Sequence, residues 1–164
     1  MSDVDGVLST ADRGRLEAVR KAIERPADVF LAVRMISWAL VLPAVARLVP
    51  LASLAPRLWR EPREPAEGTA ARVVALTAAI YGRRRPLRNN CLVRSLLAYR
   101  FLAEAGADPR LLVGVRRGTH IDGHVWVTVM DRPIHESLAS LAEFRPVVVF
   151  ASHGRPEQLE EPGL

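Results

Sequence analysis

Apolar residues in this chain recur at helical spacing as far as Gly106 and alternate, or run without a break, after it. The first helical stretch is capped by Ser9 or Thr10 and runs to Ile23, with Leu8, Leu16, Val19 and Ile23 as a sparse apolar stripe. Pro26 ends that helix or opens the next. The most apolar stretch is 27–49, with Phe30, Leu31, Val33, Met35, Ile36, Trp38, Leu40, Val41 and Leu42. Its longest uncharged run, Met35 to Ala46, is 12 residues between Arg34 and Arg47, whereas a membrane span needs roughly 20. Pro43, Pro50 and Pro56 interrupt it further. The stretch predicts buried or docking helices with peripheral membrane contact as the lesser alternative, and no span. A charged linker (60–67) with Pro62 and Pro65 follows, then a helix over 69–81 with Val73, Leu76, Thr77 and Ile80 facing inward.

A basic loop, Gly82-Arg83-Arg84-Arg85-Pro86-Leu87-Arg88, leads into the next helix. There Asn89 or Asn90 can act as N-cap. Leu92, Leu96, Tyr99 and Ala103 form an apolar face, and Gly106 supplies the stop. Beyond it, 110–116 reads as a strand and 117–122 as a polar turn. A second strand covers 124–129 and a short third 133–136. A helical turn at 137–143 and a buried strand at 145–151 complete the pattern. Helices first and antiparallel strands after is an α+β layout. The expected organisation is a helical N-terminal region (1–66) packed on a core (67–152), with a polar, flexible tail (153–164), all within one compact domain.

Composition narrows the class. With 164 residues, 49% apolar and 25% charged, the chain can bury a real core. The formal net charge is +5, but the 23 basic residues include one lysine, Lys21. Such arginine- and alanine-rich usage follows from a GC-rich genome as readily as from nucleic-acid binding. No RRM, zinc-finger or helix-turn-helix pattern is present. The charge does suit an acidic peptide or partner surface, and Arg84, Arg85 and Arg88 are the candidates for it. A solvated loop is the plain alternative. The polar first 24 residues carry no secretion signal. The single cysteine excludes an internal disulfide and fits a reducing cytoplasm.

That cysteine, Cys91, falls in the first turn of the Asn-capped helix, where the positive end of the helix dipole favours thiolate. Free cysteines are more often packing residues, so nucleophilic chemistry needs a base and a group to orient it. His124 opens a strand after Gly123 and is the candidate base. With a three-residue hairpin loop, Val129-Met130-Asp131, His124 stands opposite Glu136, and Asp131 takes the left-handed position. With a two-residue loop at Asp131-Arg132, His135 turns to the His124 face and Glu136 away. The pattern leaves both open. Cys91 with His120, His124 and His135 could hold zinc, but Gly118 and Gly123 place His120 in a loop rather than one helical turn before His124. His153 falls in the tail. Trp126 reads as core or pocket wall, and Ser95 as helix packing.

Asn-Asn-Cys91-Leu-Val-Arg-Ser-Leu-Leu-Ala-Tyr, then Leu-Leu-Val-Gly-Val-Arg, His124-Val-Trp-Val and Arg-Pro-Ile-His-Glu136 resemble the transglutaminase-like cysteine peptidases of lasso-peptide biosynthesis. The resemblance runs from about 84 to 150. It implies a papain/transglutaminase-like fold, a Cys91-His124-Glu136 triad, no cofactor and no metal. It also implies that the leader of a ribosomal precursor peptide is removed before an ATP-dependent cyclase joins the freed amine to an acidic side chain. A separate winged-helix-type protein would recognise the leader, since the chain opens directly on its helical half. Asn89 and Asn90 are candidates for oxyanion support, and Arg84, Arg85, Arg88 and Trp126 for substrate or partner contact. Two departures stand out: the acid is commonly Asp, and the hairpin tip commonly Asp-Gly where this chain has Met130-Asp131. The competing readings are another thiol acyltransferase or amidase on this fold, and a non-catalytic module that binds partners through the Trp38 face.

Overall fold

The computed structural model of the protein describes residues 26–62, 68–81, 90–117 and 121–157. The expected helix ending at Ile23, the basic loop with Arg84, Arg85 and Arg88, Asn89 and His120 lie outside them. Four helices come first: α1 (Pro26–Leu48), α2 (Leu51–Leu58), α3 (Thr69–Ile80) and α4 (Cys91–Glu104). The strands β1 (Arg110–Arg117), β2 (Ile121–Val129), β3 (Arg132–Ile134), β4 (Arg145–Phe150) and β5 (Pro156–Glu157) follow. A short helix α5 (Leu138–Leu141) precedes β4, and a 3-10 turn (Ser152–Gly154) precedes β5. The sheet order is β3-β2-β1-β4-β5, with every pairing antiparallel. The fold is α+β.

The core forms around α4. From Val93 to Ala103 every residue except Arg94 is buried, so the helix is covered on all sides, as an apolar helix without a polar face must be. Helices α1, α2 and α3 pack on it from one side and β1 and β2 from the other. Leu96, Leu97 and Tyr99 lose all contact with solvent, and each such side chain contributes about 1.5–3 kcal/mol. At its end Gly106 adopts a left-handed φ of 74°. The N–H groups of Gly106 and Ala107 then close on the carbonyls of Ala103 and Leu102, so the Gly106 stop is as expected. Two ion pairs flank this core, Arg72 with Asp28 at 3.3 Å and Arg34 with Glu104 at 2.7 Å, while the buried Arg100 guanidinium has two nitrogens without a hydrogen-bond partner.

Two expectations are corrected. The stretch 27–49 is one continuous helix through Pro43, because the ring removes a single intrahelical bond while Met35, Ala39 and Leu42 before it are buried in the core and Val45 and Ala46 after it pack against the core. By length and composition α1 could cross a membrane, contrary to the count of uncharged residues. Met35, Ala39 and Leu42 nevertheless pack inside the domain, while Phe30, Val33 and Leu40 face outward. Trp38 is half-buried, with the Arg100 guanidinium over its ring at 3.9 Å. The second correction concerns the tail. Residues 152–157 fold back, β5 pairing with β4 and the 3-10 turn packing on α2. His153 is exposed yet engaged, 3.1 Å from Glu61 and against Trp59.

Candidate active site

Asn90 starts α4 in extended backbone and its side chain accepts the Leu92 N–H at 3.0 Å. Cys91 is therefore the first helical residue. Its own backbone N–H, like that of Val93, belongs to the first-turn donors that no helical carbonyl can satisfy. The thiol is half-buried. Of the two asparagines, Asn90 is the cap, which commits its oxygen and leaves its amide NH₂.

His124 lies on β2 opposite Gly114 of β1. The hairpin that follows pairs Val129 with Arg132, Thr128 with Pro133 and Val127 with Ile134. The loop is thus the two residues Met130-Asp131, at φ 49° and 58°, which is the type I′ pattern. It is neither of the loops weighed from the strand pattern, though it is the tip, Met130-Asp131, that the family resemblance indicates, and strict alternation from it would turn Glu136 away from His124. The chain avoids this because pairing stops at Ile134 and His135 takes a left-handed φ of 66°. That twist breaks the alternation and brings Glu136 Oε1 to 3.3 Å from His124 Nε2.

The same Glu136 oxygen accepts from the Arg94 guanidinium of α4. One residue on, the Ser95 hydroxyl donates to the Val125 carbonyl at 2.9 Å. Arg94 and Ser95 sit one turn beyond Cys91, so the start of the cysteine helix lies beside the part of β2 that carries His124. Val125 and Val127 face α4, while His124 shares the other face with Trp126 and Thr128. The two sides meet at the outer margin of β2, beyond its last pair with β3. Among the described contacts Cys91 makes no hydrogen bond with His124; Arg94 and Ser95 make the connection. The sequence reading passed over Arg94, although a lone charge among Leu92, Val93, Leu96 and Leu97 was a signal that a buried partner awaited it.

Aromatic rings hold the imidazole. Trp126 stacks on His124 with centroids 6.0 Å apart and 19° between planes, and Phe144 lies at 5.1 Å. A side chain at Gly114 would stand 2.6 Å from the Trp126 ring, so a glycine there lets the indole lie flat across β1. Trp126 is buried and is both core and wall, as expected. His135 is also partly buried, its Nε2 enclosed without a partner. Burial, helped by Arg94 and opposed by Glu136, pushes it down to about 4, so it is neutral and a poor proton carrier near pH 7. Among the described residues no three His, Cys, Asp or Glu side chains gather to hold a metal ion.

A family model described as the transglutaminase-like superfamily matches residues 32–149. No curated protein and no solved structure shows a significant match. That superfamily is typically one of thiol peptidases and acyltransferases. Since the match runs from α1 to β4 and covers well over half of the chain, the protein belongs to the transglutaminase-like superfamily.

Proposed function

We propose that the protein is a cysteine peptidase that removes the leader from a ribosomally made lasso precursor peptide. The observation that carries this reading is the His124–Glu136 contact, tied through Arg94 to the helix that opens on Cys91. Cys91 Sγ attacks the scissile carbonyl after its proton passes to His124, and a carbon–sulfur bond forms. In this reading the Cys91 N–H and the Asn90 amide stabilise the oxyanion. Collapse breaks the carbon–nitrogen bond as His124 returns the proton to the leaving amine. Water, deprotonated by His124, then releases the acid and restores the thiol. Glu136 holds the imidazole tautomer through both steps. Hydrogen bonds between nucleophile and base are often long in the free enzyme and tighten with substrate bound, and this reading requires Cys91 and His124 to come within that reach in the complex. The working assembly is cytoplasmic and includes a separate leader-recognition protein and the cyclase. Arg84, Arg85 and Arg88 guide the leader or that partner.

Mass spectrometry of a neighbouring precursor, incubated with the protein and a leader-recognition partner, tests this. The expected result is one cut between leader and core that vanishes with Cys91→Ala. An intact precursor in the presence of a folded complex would overturn the peptidase reading. Transfer to an amine in place of hydrolysis would move the protein to the acyltransferases.

A further inference from the structure

Helix α1 is apolar on two faces. Its inner stripe, with Met35, Ala39 and Leu42, is buried in the core. On the outer side Phe30, Val33, Ile36, Leu40, Ala44 and Leu48 recur at steps of three or four residues, and all are exposed. Phe30 is 66% exposed and Leu40 63%. At a rise of about 1.5 Å per residue the stripe runs about 27 Å along the helix. A helix that is apolar all round is ordinarily buried all round, and a continuous exposed apolar stripe marks a contact surface.

Two observations say what it contacts. The first is the want of hydrogen-bonding groups. From Pro26 to Ala44 the one exposed polar residue is Ser37, and its hydroxyl donates to the Val33 carbonyl one turn back at 2.9 Å. A protein interface carries about one hydrogen bond per 100–200 Å² and a polar rim, for which this face has no groups. Acyl chains ask for none.

The second is charge. Residues 26–60 hold a single carboxylate, Asp28, which is buried against Arg72 at 3.3 Å. Arg47, beside Leu48 at the end of the stripe, is exposed, as are Arg57 and Arg60 beyond it. The segment thus shows solvent cations and no carboxylate, which suits anionic headgroups. A second copy of the chain fits less well, because each copy carries a formal net charge of +5.

We infer that α1 is an interfacial helix whose outer stripe sits in an anionic lipid surface. The inner stripe keeps the helix in the domain, so it lies along the membrane plane, at the boundary of headgroups and acyl chains, rather than across the bilayer. The inference does not draw on the thiol chemistry, and Cys91→Ala should bind lipid as the wild type does.

Co-sedimentation of the full chain with unilamellar vesicles tests it. The partition coefficient should be about 10-fold or more higher on mixed phosphatidylcholine–phosphatidylglycerol vesicles than on phosphatidylcholine alone, and high salt should shrink that preference. The double variant Val33→Ser, Leu40→Ser should cut binding to the mixed vesicles about 10-fold or more, and Phe30→Ser alone should lower it in the same direction. All three positions are exposed, and an unchanged urea midpoint shows that each variant is folded. Arg47→Gln should lower the anionic preference about 5-fold. Leu138→Ser, at a 74% exposed leucine on α5, should change nothing. No sedimentation of the wild type, or equal binding to both vesicles, overturns the inference. Binding that the stripe variants leave intact overturns it too, since charge alone would then be responsible. A dimer in light scattering that the double variant splits would give the stripe to a second copy, and the lipid contact would fall.

Discussion

Arg94 and Glu136 form an ion pair that fastens the cysteine helix to the end of β3, on the carboxylate oxygen that also lies 3.3 Å from His124 Nε2. Both side chains are less than a fifth exposed, so one carboxylate satisfies a mostly buried cation and orients an imidazole at once. Glu136→Gln keeps the shape and removes the charge. Peptide cleavage should fall about 10²–10⁴-fold, the range that positioned acid–base catalysis contributes. Glu136→Ala also strands Arg94 and should lower stability by about 2 kcal/mol. Urea unfolding beside a single-turnover cleavage assay checks both. A Gln variant with wild-type turnover would remove Glu136 from the chemistry.

The hairpin tip stores strain. Met130 and Asp131 both sit in the left-handed region, which Met occupies at a cost of about 1–2 kcal/mol. Asn and Gly are the residues that a type I′ turn favours in these two positions. Met130→Asn should therefore stabilise the protein by about 1 kcal/mol without touching activity, since the Met130 side chain is 85% exposed. The urea midpoint reports it; an unchanged or lower midpoint would mean that the turn geometry differs.

The same turn shows where the sequence was readable and where it was not. The cysteine helix was legible because each signal agreed: an Asn cap, an apolar face over Leu92, Leu96, Tyr99 and Ala103, and a glycine stop. Glu136 was named beside His124 through a three-residue loop that the protein does not form. The resemblance put the hairpin tip at Met130-Asp131, but those two residues carry no local signal of a I′ turn, and the left-handed twist at His135 that restores the contact left none either. Local pattern cannot announce a twist that only tertiary packing enforces. The fold of residues 152–157 was hidden likewise, since its anchors are long-range: the Tyr99 hydroxyl on the Ala151 carbonyl at 2.9 Å, and Ser152 on Asp108 at 2.7 Å.

Gly154 marks the tightest point of that C-terminal turn. Its φ is 66°, and a Cβ would overlap the backbone of Ala55 and Pro56 in α2. Gly154→Ala meets both a left-handed penalty and overpacking against rigid backbone, together about 2–5 kcal/mol. Thermal unfolding should show a clear drop in Tm. A drop no larger than that of an exposed control such as Ala142→Gly would mean that the turn does not rest on α2.

His135 sets a pH limb on stability. In the fold its imidazole is held near 4, mainly by burial and next by Arg94, against an ordinary 6.5 and with Glu136 opposing. The folded protein thus carries it neutral while the unfolded chain takes up a proton below about 6.5. This contribution is complete above pH 6.5 and is lost as pH falls towards 4. Allowing for partial exposure, it is on the order of 2 kcal/mol. His135→Asn removes the titrating ring, and Asn tolerates the left-handed backbone there. Urea unfolding at pH 7 and pH 4.5 should show the wild type losing about 2 kcal/mol more than the variant. The carboxylates titrate in both proteins, so the difference isolates the imidazole. Parallel losses would show that His135 is solvated and that its environment is not the closed one described.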